Sequence, residues 1–480
     1  MKKRFLYGFL ITVLLYCILA VGVSASGEVV SEGLEFTLND DGVSYSVTGI
    51  GTCTGTDVII PSEYEGLPVA KIGEAAFDGG TFSSITIPDS ISFIGNDAFL
   101  RCSNLSRVNI NSLTSWCNIE FQYESEYEDG VTYYSCYSNP LVYAHNLFID
   151  GIQVTELVIP NEISEIKAFA FNGGNITQLT LHSNIDCIGI GAFMTCYGFS
   201  KLVIPEGVTN IEDNAFVNCK FTSVSIPTTL IEIGNNAFYN CTNLEAVYIT
   251  DLQAWCNIVF NWEDDWDEGY WQSCDSNPLQ YANNLYIDGK LITNFILPES
   301  ITSLNPYVFQ GASFNSVTLH DKITYIPDGA FCECSQMTEI YIPDTVTSIG
   351  DYSFIYCSKL EMLILNNVTT VGYNSVWGCN SIRAIYFKNT MPSGMDTEPN
   401  YFYKDDVICG YYVFENNDSI YGLKDNEITL LHSPKNISSS FEIPSSVEHE
   451  DEKYTVTSIA GKAFYECSDL ERPRKILCKS

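Results

Sequence analysis

A dipeptide, Ala-Phe, recurs along the chain at a spacing that leaves few folds open. It stands at Ala76-Phe77, Ala98-Phe99, Ala170-Phe171, Ala192-Phe193, Ala215-Phe216, Ala237-Phe238, Ala330-Phe331 and Ala463-Phe464. Val308-Phe309, Ser353-Phe354 and Val376-Trp377 fill the same slot. Where nothing intervenes, successive phenylalanines are 22 or 23 residues apart. The unit around them reads I-P-x-x-V/L-x-x-I-G-x-x-A-F-x-x-C-x-x-L-x-x-V-x-I and is stated twice in succession between Leu202 and Cys241. A fixed period in this range marks stacked coils, each of which buries its apolar face only against its neighbours. The expected fold is a repeat solenoid with its large side chains in one elongated column.

Within the unit, Val224 and Ile226 alternate with Ser223 and Ser225, as in a strand with one buried face. Pro227 lacks an N–H and ends the ladder at a corner. Gly234, Asn235 and Asn236 are residues that tolerate tight turns, and Phe238 follows into the interior. Strands stacked in this way form a parallel sheet running along the solenoid, with short turns or helical turns on its convex side.

The chain divides around this pattern. Residues 1–25 carry Lys2, Lys3 and Arg4, an apolar run from Phe5 to Val23 and small residues before a cleavage point after Ala25. That is a secretory signal peptide, with an uncleaved anchor as the other reading of so long a run. Residues 26–60 contain two alternating stretches around Asn39-Asp40-Asp41-Gly42, a β-hairpin placed to cap the first coil. Repeats are expected over 61–112, 156–251 and 294–388. They are separated by insertions over 113–155 and 252–293, which match each other: LTSWCNIEF and LQAWCNIVF open them, and SNPLVYAHNLFIDG and SNPLQYANNLYIDG close them. Trp116 and Trp255 lie 139 residues apart, so a block of coils with its insertion is duplicated. Residues 389–441 lapse into a Tyr-rich segment, either a hairpin module or a loop cover. Residues 442–480 hold a final partial repeat and a basic tail.

The unit resembles the BspA-like leucine-rich repeats, on the I-P, I-G, A-F and Cys signatures and on eleven Phe/Trp slots between Val58 and Cys467. The WCNI…SNPL insertion also looks like one that recurs in that family. The resemblance implies a curved, right-handed leucine-rich-repeat solenoid on an extracellular bacterial or protist surface. It implies adhesion or host-protein binding for some members and defines no ligand here.

Charge narrows the partners. With 23 Lys and Arg against 59 Asp and Glu, the formal charge is −36. Nucleic-acid binding rests on cations that neutralise phosphates, so nucleic acid is excluded, and so is attraction to an anionic membrane. Membrane insertion is not expected once the signal is removed. Eighteen cysteines in a secreted chain point first to disulfides. Eight of them (Cys102, Cys196, Cys219, Cys241, Cys334, Cys357, Cys379, Cys467) sit in one repeat slot, however, where Cys serves as a small buried hydrophobe. Cys117/Cys136 and Cys256/Cys274, one pair inside each insertion, are the disulfide candidates.

The spacing needed for zinc is missing. The acidic runs Glu124-Glu126-Glu128-Asp129 and Glu263-Asp264-Asp265-Asp267-Glu268 lack the ligand spacing and central glycine of a calcium loop, and a solvated charged loop accounts for them better. His182 and His320 replace the corner proline. No nucleophile elbow, H-E-x-x-H, P-loop or dinucleotide fingerprint occurs, so neither catalysis nor a cofactor is expected.

The outward strand positions are then the informative ones. They read Thr86, Asn109, Val158, Thr180, Val203, Ser225, Tyr248, Ile296, Thr318, Tyr341, Ile364 and Tyr386. Tyr248, Tyr341, Ile364 and Tyr386 are the candidate contact residues of a binding face; the structural alternative is cross-strand stacking of tyrosines on a sheet. The expected function is protein–protein interaction or adhesion through the concave sheet, with a host or neighbour-cell surface protein as partner. A glycan-binding accessory module of carbohydrate processing and a ligand-free surface-layer spacer are the alternatives.

Overall fold

In S-V-S-I-P the backbone leaves Ser223–Ser225 extended and Pro227 turns the corner; in other coils the corner residue is not proline, as at His182 and His320. The computed structural model describes residues 21–23, 29–128, 131–262, 274–382 and 384–388, and beyond them 407–409, 412–416, 419–424, 427–432, 444–449, 452–459 and 463. Most of the signal segment, the acidic run 263–268, the stretch 389–406, Phe464, Cys467 and the basic tail therefore lie outside the described residues. Val21–Val23 pairs antiparallel with Val29–Ser31. The chain forms two compact units, residues 1–291 and 292–480, and each is a parallel-sheet solenoid.

Three ladders run through the coils of each unit. The first holds the strands before the proline. In residues 1–291 it includes Lys201–Val203, Ser223–Ser225, Ala246–Ile249 and Leu285–Ile287, paired in parallel so that Val203, Ser225, Tyr248 and Tyr286 stand in line. In residues 292–480 Asn294–Ile296, Ser316–Thr318 and Glu339–Tyr341 do the same, as do Met362–Ile364, Ala384–Phe387 and Val407–Cys409. This ladder is divided into short parallel sheets along each unit.

The second ladder is the I-G dipeptide with the residue before it. Cys187–Ile188, Asn210–Ile211 and Glu232–Ile233 pair in parallel, as do Tyr325–Ile326, Ser348–Ile349 and Thr370–Val371. Here the structure departs from the helical turns allowed on the convex side. The described helices have four or five residues and all belong to the insertions. The glycine also acts differently from a turn residue. A Cβ on Gly234 would lie 2.5 Å from the Asp213 nitrogen, and one on Gly372 would lie 2.4 Å from the Asp351 nitrogen. Glycine here permits one coil to approach the next.

The third ladder is the Ala-Phe turn. Phe193 N donates to Ala215 O and Phe216 N to Ala237 O, both at 2.9 Å; Phe309 N donates to Ala330 O at 3.0 Å and Phe331 N to Ser353 O at 2.9 Å. Two left-handed residues flank the turn, Asn214 (φ 58°) and Asn218 (φ 62°) in one coil. The rings behind the turn stack coil upon coil. Phe171–Phe193, Phe193–Phe216 and Phe216–Phe238 are 5.5–5.6 Å apart, with interplanar angles of 8°, 4° and 16°. Phe309–Phe331 and Phe331–Phe354 repeat this in the second unit; in the next coil Phe354 N donates to Ser375 O, so buried Val376 and not the exposed Trp377 takes the slot. All of these phenylalanines are fully buried.

The first insertion is an enlarged coil and not a break. Glu120–Phe121 continues the second ladder beside Phe93–Ile94, and Leu147–Ile149 continues the first beside Val108–Ile110. Phe99 N finds Tyr137 O at 3.0 Å where the next Ala-Phe turn would otherwise stand. Leu113–Cys117 is a helical corner started by Ser112, whose side chain accepts from Ser115 N. A hairpin, Glu124–Glu128 with Val131–Ser135, is looped out. Side chains then join this coil to the next one: Trp116 Nε1 donates to Ala170 O at 3.0 Å and Asn139 Nδ2 to Phe169 O at 2.7 Å, while His145 Nδ1 lies 2.8 Å from Gly173 O.

The ends of the described chain share a topology. Glu35–Leu38 and Tyr45–Gly49 form a hairpin, and the latter pairs in parallel with Leu67–Ile72, which folds back on Glu63–Tyr64. Near the C-terminus, Ser419–Lys424 and Glu427–His432 form a hairpin. Glu427–His432 pairs in parallel with Glu452–Ile459, which folds back on Ser446–His449. Both parallel pairings carry a register shift, after Tyr45 in one and after Ile428 in the other. In the stretch expected to hold the last repeat, the described residues thus take the arrangement of the first coil and its cap.

Because the glycine of I-G is set by coil approach, Gly234→Ala should destabilise residues 1–291 by roughly 1–3 kcal/mol, the range for overpacking. A calorimetric melt that Gly234→Ala leaves unmoved would contradict that reading.

Candidate functional site

The outward positions of the first ladder can now be placed. Ile296 and Tyr341 are 72 % and 61 % exposed, and Thr318 stands between them in register. Tyr248 is half-buried: its ring stacks on Tyr286 at 4.8 Å and 29°, so at this position the cross-strand contact between tyrosines is realised. Ile364 is half-buried too.

Tyr386 corrects the sequence reading, because its side chain is fully buried and offers no open contact area. It is covered by the C-terminal antiparallel strands, whose Val413, Ile420 and Leu431 form a core with Ala384 and Tyr386 against Met362 and Ile364. The contact is fixed by Asn366. Its Oδ1 accepts from Val413 N at 2.9 Å and its Nδ2 donates to Val413 O at 3.0 Å, so one side chain takes the place of a strand partner. Asn366 occupies the slot that is proline in I-P. Loss of that proline at Leu365-Asn366 is the sequence signal that sequence reasoning passed over.

The repeat-slot cysteines do more than fill space. Cys196, Cys219 and Cys241 donate from Sγ to the carbonyls of Phe171, Phe193 and Phe216, each in the preceding coil, at 3.1–3.2 Å. Cys334, Cys357 and Cys379 do the same to Phe309, Phe331 and Phe354. Burial pushes the Cys196 and Cys241 thiols up to about 12.

The insertion cysteines are free, so the expected pairs Cys117/Cys136 and Cys256/Cys274 are not bridged. The reason is local. Cys117 and Cys256 are buried on short helices beside Trp116 and Trp255. Cys136 and Cys274 instead face Ser138 Oγ at 3.2 Å and Ser276 Oγ at 3.0 Å.

His182 and His320 hold corners: their Nε2 atoms lie 2.9 and 3.0 Å from Pro160 O and Pro298 O. Among the described residues no group of three or more His, Cys, Asp or Glu is arranged to hold a metal ion, and no helix is long and apolar enough to cross a membrane.

A second surface, which sequence reasoning did not single out, lies around the Ala-Phe turns of residues 325–377. Tyr325, Tyr356, Tyr373 and Trp377 are 44 %, 36 %, 43 % and 39 % exposed. Tyr352 meets Tyr373 at 5.7 Å and 81°, and Tyr356 meets Trp377 at 5.0 Å and 63°. Asp328 Oδ1 accepts from Tyr325 Oη at 3.2 Å and from Asp351 N at 2.8 Å, and Asp351 Oδ1 accepts from Tyr373 N at 2.7 Å. Burial and then the Asp328 charge push the Tyr325 hydroxyl up to about 12. The density of Tyr and Trp in this stretch was the available signal.

With the geometry in hand, the chain is placed among known proteins by its repeats. A family model, the BspA type leucine rich repeat region, matches residues 52–139, 142–260 and 282–406 in six copies. The chain belongs to the BspA-type leucine-rich repeat family. Among solved structures it is similar to a leucine rich cell surface protein from Faecalibacterium prausnitzii, at 20% identity over 74% of this chain and 87% of that one, with a TM-score of 0.43. A leucine-rich repeat protein from Bacteroides ovatus shows 17% identity over 74% and 94%, with a TM-score of 0.41. The pneumococcal vaccine antigen PcpA shows 17% identity over 94% and 98%, with a TM-score of 0.42. No curated protein matches the chain.

Two measurements follow from these sites. The repeat thiols bind their protons more tightly in the fold than in the unfolded chain, whose thiols titrate near 9. Above that pH the unfolded state holds fewer protons, so stability is intact below about pH 9 and falls as pH rises toward about 12. A denaturant midpoint that rises across that window would contradict the buried thiol ladder. Asn366→Ala leaves the Val413 N–H and C=O buried without partners, at a cost of about 1–3 kcal/mol. Hydrogen exchange in residues 412–432 should accelerate while residues 294–341 keep their protection.

Proposed function

We propose that this chain is an extracellular or cell-surface protein-interaction module, non-catalytic, that binds another macromolecule on the outward face of its first strand ladder. One observation carries the reading: the outward apolar strip already serves as an interface within the chain. Ile364 and Tyr386 are packed under Val413, Ile420 and Leu431, whereas Ile296 and Tyr341, at the same outward position in earlier coils, are exposed. Aromatic and apolar side chains held on a rigid sheet lose little entropy on binding, which suits them to anchor a protein partner. Membership of a repeat family whose coils present a broad sheet is consistent with this role. The partner is read as a protein of a host or neighbouring cell surface.

The test is direct. The immobilised chain captures a partner from surface extracts, the partner is purified, and its affinity is measured against an Ile296→Asp/Tyr341→Ala variant. The expected result is a loss of at least roughly tenfold, since anchor residues in interfaces each contribute on the order of 1–2 kcal/mol. Unchanged affinity, with the melting temperature also unchanged, would remove the strand face from consideration.

A further inference from the structure

The aromatic surface at the turns of residues 325–377 lies on other elements of the coil than the strand face. Tyr325 belongs to the second ladder, and Tyr352, Tyr356, Tyr373 and Trp377 flank the third. Their exposure shows that these rings are displayed and are not core. Four of them keep more than a third of their surface open. Tyr352 and Tyr356 occupy left-handed slots, both at φ 57°, as Phe169 and Tyr307 do; but Phe169 and Tyr307 are buried, whereas Tyr356 is exposed.

The rings are arranged in corners. Tyr352 against Tyr373 and Tyr356 against Trp377 meet at 81° and 63°, edge to face, so in each pair the edge-on ring keeps both faces clear of its partner. The negative charge beside them comes from Asp328 and Asp351, which have no lysine or arginine partner among the described residues. Their Oδ1 atoms accept the hydrogen bonds already named, and their Oδ2 atoms accept none among the described residues. Ring faces attract cations through the quadrupole, and adjoining carboxylates add to that attraction. A second copy of this chain, at a formal charge of −36, is disfavoured as occupant by repulsion.

We infer that Tyr325, Tyr352, Tyr356, Tyr373 and Trp377, with Asp328 and Asp351, form a docking surface for an arginine- or lysine-rich polypeptide segment. The guanidinium or ammonium groups rest against the ring faces, and the carboxylates pair with them from the side. This surface is separate from the strand face, so the two readings fail independently.

The probe is a fluorescein-labelled peptide of alternating Arg and Gly, titrated into the purified full chain at about physiological salt. Its comparators are the same peptide with citrulline in place of arginine and a neutral cello-oligosaccharide. The arginine peptide should bind and the comparators should not. Tyr373→Ala/Trp377→Ala should weaken binding roughly tenfold, the sum of two partly desolvated cation–ring contacts. Asp328→Asn/Asp351→Asn keeps the oxygen that accepts each ladder bond and should weaken binding comparably without lowering the melting temperature. Tyr197→Ala/Tyr239→Ala, removing tyrosines of 58 % and 49 % exposure elsewhere, and Ile296→Asp/Tyr341→Ala should leave it within about twofold. Equal loss in the Tyr197/Tyr239 variant would reduce the attraction to a general effect of exposed tyrosines and overturn the inference. It is also overturned if the arginine peptide fails to bind, or if the citrulline peptide or oligosaccharide binds and is lost with Tyr373 and Trp377.

Discussion

Everything in this architecture depends on the hydrogen bond from the phenylalanine N–H of one coil to the carbonyl before the phenylalanine of the next. It sets the coil spacing at the turn, and the stacked rings behind it follow from that spacing. With Phe193, Phe216 and Phe238 about 5.6 Å apart and nearly parallel, each ring gains about 1.5–3 kcal/mol from burial and a further contribution from its aromatic neighbours. The flanking features serve the same turn. Left-handed residues bend the chain around it, the I-G glycine lets the neighbouring coil close, and the cysteine thiol satisfies the phenylalanine carbonyl of the coil before.

The first insertion shows how that dependence is maintained where the repeat is modified. The chain between Leu113 and Ile149 adds a helical corner and a hairpin yet still delivers a carbonyl, Tyr137 O, to Phe99 N. Where the following ladder would lack partners, the side chains of Trp116, Asn139 and His145 reach the carbonyls of Ala170, Phe169 and Gly173. In the first insertion the W-C-N-I and S-N-P-L signatures therefore splice one run of coils to the next within residues 1–291. The same economy of parts appears at the C-terminal strands, where Asn366 stands in for a strand and holds Val413.

Much of the fold was legible in the residues because its period is carried by large buried side chains that tolerate little replacement. Ala-Phe fixed the coil, and S-V-S-I-P fixed the first ladder. Other features were not legible, for identifiable reasons. The second ladder is only two residues wide in each coil, too short for alternation to reveal, so I-G read as a turn. The thiol ladder was hidden because cysteine's size accounts for its slot without its weak donor. The candidate site suffered most from tertiary placement. Tyr386 has the local pattern of an exposed strand residue, and its burial comes from strands that follow it in the chain by some thirty residues. Tyr352 and Tyr373 are a full coil apart in the chain, and only the stacking of coils brings their rings together.

Each unit is a stack of coils held chiefly by their immediate neighbours. The most direct test is hydrogen exchange, read coil by coil, in a Phe216→Ala variant. Nearest-neighbour coupling predicts that protection falls sharply in the coils of Phe193 and Phe238 while the coil of Phe77 exchanges as before. A uniform loss of protection across residues 29–291 would contradict it, because that is how a single indivisible core responds.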